Sequence, residues 1–574
     1  MKNYEIARII HEVGIYEAIK GEKFKPRAYE KVAQYIGSLN EDLESLYKKG
    51  GIKALAELPG IGKSIAEKLA ELVSTGVLKY YEELKTQIPV DVTKLTSIEG
   101  IGPKTVKVLY EELGITNIEE LEEAAKKEKL RNLTGFGEKS EQQILNGIGL
   151  FRKTHGERFV LGLMLSTLED IGNRLRRLDF VKKVELAGSA RRMKESIGDA
   201  DFVAVSSRPN KLMDFFTSMP EVAHVNTKGL TKSTVRLHSG IHCDLRVVPE
   251  KSFGAALQYF TGNKQHNVIL RTIALRKGNK LNEYGLYDKR NRQIAGTTEQ
   301  EVYSKLGLTW IPPELREDRG EIEAAAEGRL PELISYGSLR GDLQTHTDWT
   351  DGNNSIMEMA QAGKGLGLDY IAVTDHSKTL GIARGLDKGR LEKQRKEIKK
   401  INQANKDNKI TILAGVEVNI LKDGRLDLEN NILKEFDVVG AAIHSHFSLP
   451  KKEQTKRVTS AMYNSHVDII FHPTGRRIQQ RQPLDVDIER IIDVSKETNT
   501  ILEVDSSPER LDLQDEHIRL AIQNGCKLSI DSDAHDRSHI RFLKFGIAQA
   551  RRGWAEASDI INTLPLGKFL NSMK

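Results

Sequence analysis

Cysteine is nearly absent: two residues, Cys243 and Cys526, in a chain of 574. A disulfide framework is excluded, and a reducing, cytoplasmic setting is expected. No run of about 18 uncharged apolar residues occurs, so no membrane-spanning helix is expected. The first twenty residues include Lys2, Glu5, Arg8, Glu12, Glu17 and Lys20, so no secretory leader is expected. Neither sign of charge dominates. The 87 basic and 81 acidic residues leave a net +6, by itself weak evidence for an anionic partner. What is present is the balance of a globular protein, 39% hydrophobic and 29% charged. At roughly 150 residues per domain, the length holds about four domains.

The first 150 residues read as helical, with apolar positions at three- and four-residue spacing, as in Ile6, Ile9, Ile10 and Val13. One short pattern occurs three times there: Leu58-Pro-Gly-Ile-Gly-Lys63, Ile98-Glu-Gly-Ile-Gly-Pro103 and Leu133-Thr-Gly-Phe-Gly-Glu138. Each copy leads into an amphipathic helical stretch. The glycine pairs Gly60 and Gly62, Gly100 and Gly102, Gly135 and Gly137 permit a tight turn. Such a turn leaves backbone N–H groups near a helix N-terminus, where a phosphate docks without a side chain. This helix-hairpin-helix signature points to sequence-independent gripping of a nucleic-acid backbone.

From about 155 to 315 the pattern is mixed α/β. Strand-like runs lie at Val184–Ala187, Phe202–Val205, Val235–Leu237 and Leu245–Val248. Residues 316–337 are charged and punctuated by Pro and Gly, and are expected to be a linker with some helix. From 338 onward strands and helices alternate regularly. Seven strand candidates, at 339–344, 370–374, 411–416, 438–443, 469–471, 501–504 and 528–530, suggest a closed barrel of the TIM type.

The middle third carries the segment Gly188-Ser189-Ala-Arg191-Arg192, followed by Gly198-Asp199-Ala-Asp201. On a strand, Asp199 and Asp201 share a face. Adjacent carboxylates are costly unless a cation sits between them, and a Mg²⁺ pair held by carboxylates suits nucleotidyl transfer. Gly188 and Ser189 offer a close backbone approach and a hydroxyl to phosphate oxygens, and Arg192 offers a planar fork. A third carboxylate is expected on a neighbouring strand, where Asp244 fits.

This stretch resembles the palm of family X DNA polymerases, within the nucleotidyltransferase superfamily. Tyr259-Phe260-Thr261-Gly262 is similar to that family's thumb motif, which packs against the sugar of the incoming nucleotide. The resemblance implies that Asn267 reaches the minor-groove edge of the base and that Arg271 contacts the template. Asn282-Glu283-Tyr284 resembles another part of the thumb. Two positions depart from the vertebrate repair members: His242 replaces an arginine, and Lys264 replaces an acid. A lysine near a triphosphate adds favourable charge. The N-terminal region resembles the family's lyase domain, which implies a Schiff base to an abasic-site aldehyde at Lys68 and 5′-phosphate contacts at Lys25, Tyr29 and Lys63.

In the last third the candidate strands end at Gln344-Thr345-His346 (with Asp351 in the next loop), Asp375-His376, Glu417, His444, His472, near Asp505, and at Asp531-Ser-Asp533-Ala-His535. Ligand-type residues at successive strand C-termini converge on one face of a barrel, and this donor mixture suits Mn²⁺ or Zn²⁺. The domain resembles the PHP (polymerase and histidinol phosphatase) family, a seven-stranded barrel with up to three metals. The ligand set implied is His346, Asp351, His376, Glu417, His444, His472, Asp533 and His535, and the chemistry is metal-dependent phosphoester hydrolysis. Gln344 stands where the family's first motif has histidine, so one metal position is expected to be weaker.

The whole chain thus resembles the bacterial and archaeal family X DNA polymerases with a C-terminal PHP domain. The implied organisation is a lyase-like helical domain (1–90), helix-hairpin-helix fingers (91–150), an α/β nucleotidyltransferase palm (151–245), a thumb (246–315), the linker (316–337) and a TIM-like (β/α)7 PHP barrel (338–574). The implied activity is filling of short gaps in gapped or nicked DNA from deoxynucleoside triphosphates, with 3′→5′ exonuclease or 3′-end processing and an abasic-site endonuclease or lyase function. A monomer is expected. Two other classes stay open: a nuclease whose polymerase part only binds gapped DNA, and a non-catalytic DNA scaffold. The intact Asp199, Asp201 and Asp244 argue against the first, and primer extension with Mg²⁺ alone separates all three.

Overall fold

A computed structural model describes residues 3–22, 24–39, 43–58, 60–96, 98, 100–133, 135–155, 158–404 and 410–573. Pro59, Glu99 and Thr134 of the repeated motifs lie outside the described residues. The chain divides into two compact units. The first comprises residues 1–156, with the short segments 479–482 and 536–539 assigned to it; the second holds the remainder. No described helix is long and apolar enough to cross a membrane.

The first unit is helical. Its core gathers the apolar faces that the three- and four-residue spacing marked, including Ile6, Ile10, Val13, Leu69, Leu72, Val106 and Leu109. The three hairpin turns are built alike. Gly60, Gly100 and Gly135 have φ of 74°, 87° and 86°, which only glycine adopts without strain. Each turn is closed by the same backbone bond, Ile61 to Leu58, Ile101 to Ile98 and Phe136 to Leu133, at 3.0–3.1 Å. The helices that follow are Lys63–Thr75, Pro103–Leu113 and Glu138–His155.

The palm, in the second unit, is a five-stranded sheet in the order Val181–Leu186, Asp199–Ser206, His242–Val247, Lys232–Leu237, Val222–Lys228. The two central strands are parallel. Val222–Lys228 gave no strand signal in the sequence. Six of its seven residues are exposed, so it is an edge strand without the alternation that burial on one face imposes. The thumb follows as the helices Phe253–Thr261 and Lys264–Arg276, a small three-stranded sheet and the helix Glu299–Leu306. The expected linker at 316–337 is instead packed at its start. Arg316 and Glu321 are fully buried, and the helix Glu321–Ala326 sends Ile322 and Ala325 into the thumb core. Arg316 donates to Glu299 at 2.7 Å, and Glu321 meets His266 at 2.7 Å. Part of the charge that suggested a solvated spacer is therefore internal, while Glu323, Glu327 and Arg329 stay exposed.

The last region is a seven-stranded parallel sheet with strands in chain order: Gly341–Thr345, Tyr370–Val373, Thr411–Asn419, Val438–Ala442, Ile469–Ile470, Ile501–Asp505 and Leu528–Asp531. The ring closes where Thr345 bridges Ala534 and the His346 N–H donates to the Ala534 carbonyl at 2.8 Å. The strands are buried on both faces, which explains their continuous apolar runs. Caps set the helix ends locally, as in the capping box of Ser355 and Glu358 that starts Ile356–Gly365. The interior is filled by Leu343, Tyr370, Leu413, Val438, Ile469 and Phe471, with the Phe569 ring stacked on Tyr370 at 5.1 Å.

Candidate active sites

Barrel geometry brings the eight expected ligand residues of the last region together. The Glu417 carboxylate lies at the centre, 2.9 Å from His376 Nδ1, 3.1 Å from His444 Nε2, 3.1 Å from His472 Nε2 and 3.4 Å from His346 Nε2. His346 Nε2 is also 3.3 Å from Asp533. Asp351 is 3.6 Å from both His376 and His535, and His535 Nδ1 is 3.7 Å from Asp533. Two groups have donor atoms close enough to hold one ion each: His346, Asp351, His376 and His535, and His376, Glu417 and His444.

Among the described residues, several donor atoms here are buried yet have no hydrogen-bond partner: both His346 ring nitrogens, Asp351 Oδ1, His376 Nδ1, Glu417 Oε2 and His472 Nδ1. Native interiors rarely leave such atoms unsatisfied, so the donor set fits divalent cations. Burial acts to raise the Glu417 carboxyl, but the His376 and His444 imidazoles outweigh it and hold it well below the usual range. His472 and Asp533 have φ of 31° and 49°, left-handed conformations that non-glycine residues adopt at a cost of about 1–3 kcal/mol and chiefly where function requires it. Asn419 Oδ1 faces His444 Nδ1 at 2.7 Å. With the proton on Nδ1, Nε2 is free to ligate.

Two features of this site were not read from the sequence. Gln344 is fully buried, and its amide nitrogen, oriented to donate, lies 2.6 Å from Glu503 Oε1. The amide nitrogen is therefore held by a carboxylate on the sixth strand, while the amide oxygen, the atom expected to ligate a metal weakly, is not used by that contact. Arg510 lies 3.4 Å from Asp505 and 3.5 Å from Asp533, with a buried Nη1 that has no partner. A guanidinium beside the ligand cluster is suited to an anionic phosphoester.

In the palm, the parallel pairing sets Asp201 directly opposite Asp244 and Asp199 opposite His242. All three carboxylates therefore meet at one end of two adjacent strands. Burial first, then the charges of Asp199 and Asp244, push the Asp201 carboxyl up to about 7. That excess of negative charge fits a divalent cation. Lys232 Nζ stands 2.7 Å from Asp244, and Thr234 donates to Asp244 at 2.6 Å. Gly188 has φ of 64°, and a Cβ there would lie 3.0 Å from Asp201 Oδ2, so the position needs glycine twice over. Ser189 follows, half-buried, and Gly198 joins a short strand to Asp199.

Arg192 donates from Nε to Glu317 at 2.9 Å and from Nη1 to the Thr261 carbonyl. This ties the palm to the thumb motif, where the Tyr259 and Phe260 rings meet edge to face at 5.1 Å and Gly262 ends the helix with φ of 68°. Asn267 donates to the Tyr259 carbonyl at 2.7 Å. Lys264 and Arg271 are exposed on the following helix.

The first unit places Lys68 half-buried on the helix Lys63–Thr75. Its amine lies 5.0 Å from the Tyr80 ring centroid and 3.1 Å from Ser64 Oγ. Lys63 is exposed at the head of that helix. Lys25 already faces Glu22 at 3.4 Å and the buried Glu17 at 3.6 Å. Tyr29, expected at a 5′-phosphate, is a core residue only 4% exposed. The third hairpin shares the geometry of the first two but not their charge. Its helix opens with Glu138 and Glu141 in the first turn, whereas the first two have no acid there. Acids at a helix N-terminus compete with a phosphate, so Gly135 and Gly137 are the least suited of the pairs to grip one.

Four family models match the chain: a helix-hairpin-helix domain over residues 1–78, a SAM-like helix-hairpin-helix tandem over 92–149, the DNA polymerase beta thumb over 256–317 and the PHP domain over 342–507. Over 570 residues the chain is 37% identical to the DNA polymerase/3′-5′ exonuclease PolX of Bacillus subtilis (strain 168), covering 99% of this chain and 98% of that protein. It is 28% identical over 338 residues to DNA polymerase lambda of Arabidopsis thaliana, covering 53% of this chain and 60% of that one. It is 32% identical over 246 residues to a probable phosphatase of Thermoanaerobacter sp. (strain X514), covering 40% of this chain and 94% of the phosphatase.

Proposed function

Because the chain belongs to the family X DNA polymerases that carry a C-terminal PHP domain, we propose that it fills short gaps in DNA with its palm and thumb and trims 3′ ends with its barrel. The barrel reading rests on one observation: eight ligand-type residues from successive strand ends share a single buried cluster. His346, Asp351, His376, Glu417, His444, His472, Asp533 and His535 would hold two or more ions, Mn²⁺ or Zn²⁺ by donor type. Bound ions there supply charge neutralisation and activation of water. Arg510 binds the anionic phosphoester, and Asn419 keeps His444 in its ligating tautomer.

In the palm, Asp199, Asp201 and Asp244 would hold Mg²⁺, whose charge steadies the phosphates. Gly188, Ser189 and Arg192 contact the triphosphate, with Lys264 adding charge from the thumb. The edge-to-face Tyr259 and Phe260 rings flank the sugar, Asn267 reads the minor-groove edge of the base, and Arg271 contacts the template. The hairpins at Gly60–Gly62 and Gly100–Gly102 grip the DNA backbone. Lys68, half-buried beside Tyr80, would carry a lyase step at a 5′-abasic end, and borohydride trapping on such a substrate tests it. Trapping in the wild type that is lost in Lys68→Ala supports the assignment; unchanged trapping in the variant moves the step to another lysine. The partners are gapped or nicked DNA and deoxynucleoside triphosphates, handled by a monomer in the cytoplasm. Extension of a gapped primer and shortening of its 3′ end, assayed with and without dNTPs, test the two main activities. A chain that only shortens the primer would leave the nuclease reading alone.

A further inference from the structure

Arg192 is the palm residue placed at the triphosphate, and the groups that fix it come from three parts of the second unit. Its Nε donates to Glu317 at 2.9 Å, and its Nη1 donates to the Thr261 carbonyl. Among the described residues its Nη2 has no hydrogen-bond partner. Nε and Nη1 are therefore held, and Nη2 is left to a ligand.

Glu317 is itself shared. Arg552, the last residue of the barrel helix Leu543–Arg552, donates from Nη1 to Glu317 Oε1 at 3.1 Å and to the backbone carbonyl of Arg192 at 2.9 Å. Its Nη2 donates to Asp515 at 2.6 Å, and Asp515 also meets Arg319 at 3.2 Å. The Arg552 side chain is 2% exposed and those of Glu317 and Arg192 are 10% and 12%, so water screens this cluster little. Burial opposes the Glu317 charge, yet Arg552 and then Arg192 hold its carboxyl at about 2.

A lone buried carboxylate would be a poor neighbour for a triphosphate. It would repel the anion and draw the Arg192 fork fully onto itself, since arginine binds carboxylates through two parallel bonds. A second guanidinium on the same carboxylate oxygen prevents both. Arg552 also donates to the Arg192 carbonyl, so it holds both the main chain of Arg192 and the carboxylate that receives its Nε.

We propose that Arg552, a residue of the phosphoesterase barrel, is a positioning residue of the polymerase site. It neutralises Glu317 and anchors Arg192 so that the free Nη2 of the guanidinium meets the triphosphate of the incoming nucleotide. This rests on the reading of Arg192 as a triphosphate ligand. The barrel then serves nucleotide addition as a scaffold, apart from its own hydrolysis.

The test uses the full chain and steady-state gap filling, with 3′-end hydrolysis as the check that the barrel is folded. Arg552→Met is expected to raise KM for the dNTP about tenfold, with kcat nearly unchanged, the pattern of lost ground-state and transition-state binding alike. Arg552→Lys should recover part of the loss, and hydrolysis should match the wild type in both. Glu317→Gln removes the shared carboxylate by a substitution outside the barrel and should raise KM in the same direction. Arg192→Ala combined with Arg552→Met should be no worse than Arg192→Ala alone. An unchanged KM in Arg552→Met with hydrolysis intact would overturn the proposal, as would multiplicative losses in the double variant. If Arg552→Met also loses hydrolysis, Arg552→Lys and Glu317→Gln decide by the same criterion. If Arg192→Ala itself leaves KM unchanged, the triphosphate reading falls and the positioning role falls with it.

Discussion

The two candidate metal sites solve the same problem in opposite ways. The palm sets three carboxylates on adjacent parallel strands, and the result is a local excess of negative charge with Lys232 drawn against Asp244. The barrel sets five imidazoles among three carboxylates, so most of its donors are neutral nitrogens, and Glu417 alone touches four histidines. The palm is suited to a hard cation that arrives with a triphosphate, and the barrel to ions held in place by nitrogen. Two sites so different in donors should also be separable in solution.

The largest effect expected is at the palm. Asp201→Ala should lower nucleotide addition by about 10³-fold or more, because the charge it steadies develops in the transition state. DNA binding and 3′-end hydrolysis should persist. Robust extension by this variant, measured on gapped DNA, would break the comparison at its palm end. Next comes the barrel: His376→Ala or Asp533→Ala should remove 3′→5′ hydrolysis while gap filling continues. His376 belongs to both ion-holding groups, so its loss should cost more of the bound metal, as counted by elemental analysis, than loss of Asp351.

The sharper test of the imidazole site is indirect. Asn419→Ala should weaken metal affinity by roughly 10–100-fold, as loss of a partner to a ligating histidine typically does. A metal titration of hydrolysis reads this, and an unchanged curve would mean that Asn419 does not set the His444 tautomer. The smallest effect is expected at Gln344. Glu503 holds its amide nitrogen and leaves only the weakly ligating amide oxygen for an ion, so Gln344→His should modestly lower the metal concentration needed for half-maximal hydrolysis. Identical curves would mean that Gln344 does not touch an ion.

The contrast also explains what the sequence could disclose. The residues of the barrel cluster are legible because all but Asp351, in the loop after the first strand, sit at or near strand C-termini that the fold places in one ring; no pairing need be known. The palm triad was legible for a different reason: Asp199 and Asp201 share a strand face, and Asp244 needed only a neighbouring strand. Contacts between distant segments left no local mark. Gln344 meets Glu503 across the barrel interior, and nothing near either residue announces the other. Glu317 and Arg316 lie in a stretch whose charge and proline content read as a linker, because an ion pair to a remote partner looks like solvated charge until the partner is known. Val222–Lys228 was missed for want of an apolar alternation, and Tyr29 was assigned to a phosphate although its ring is needed in the helical core.

The central claim is that one chain holds two independent metal-dependent sites. The most direct test is a single gapped DNA, labelled on the primer, incubated with and without dNTPs across Mg²⁺, Mn²⁺ and Zn²⁺, using the wild type, Asp201→Ala and His376→Ala in parallel. Two distinct metal profiles are expected, with lengthening lost only in Asp201→Ala and shortening lost only in His376→Ala. One common profile, with both activities lost in either variant, would contradict it.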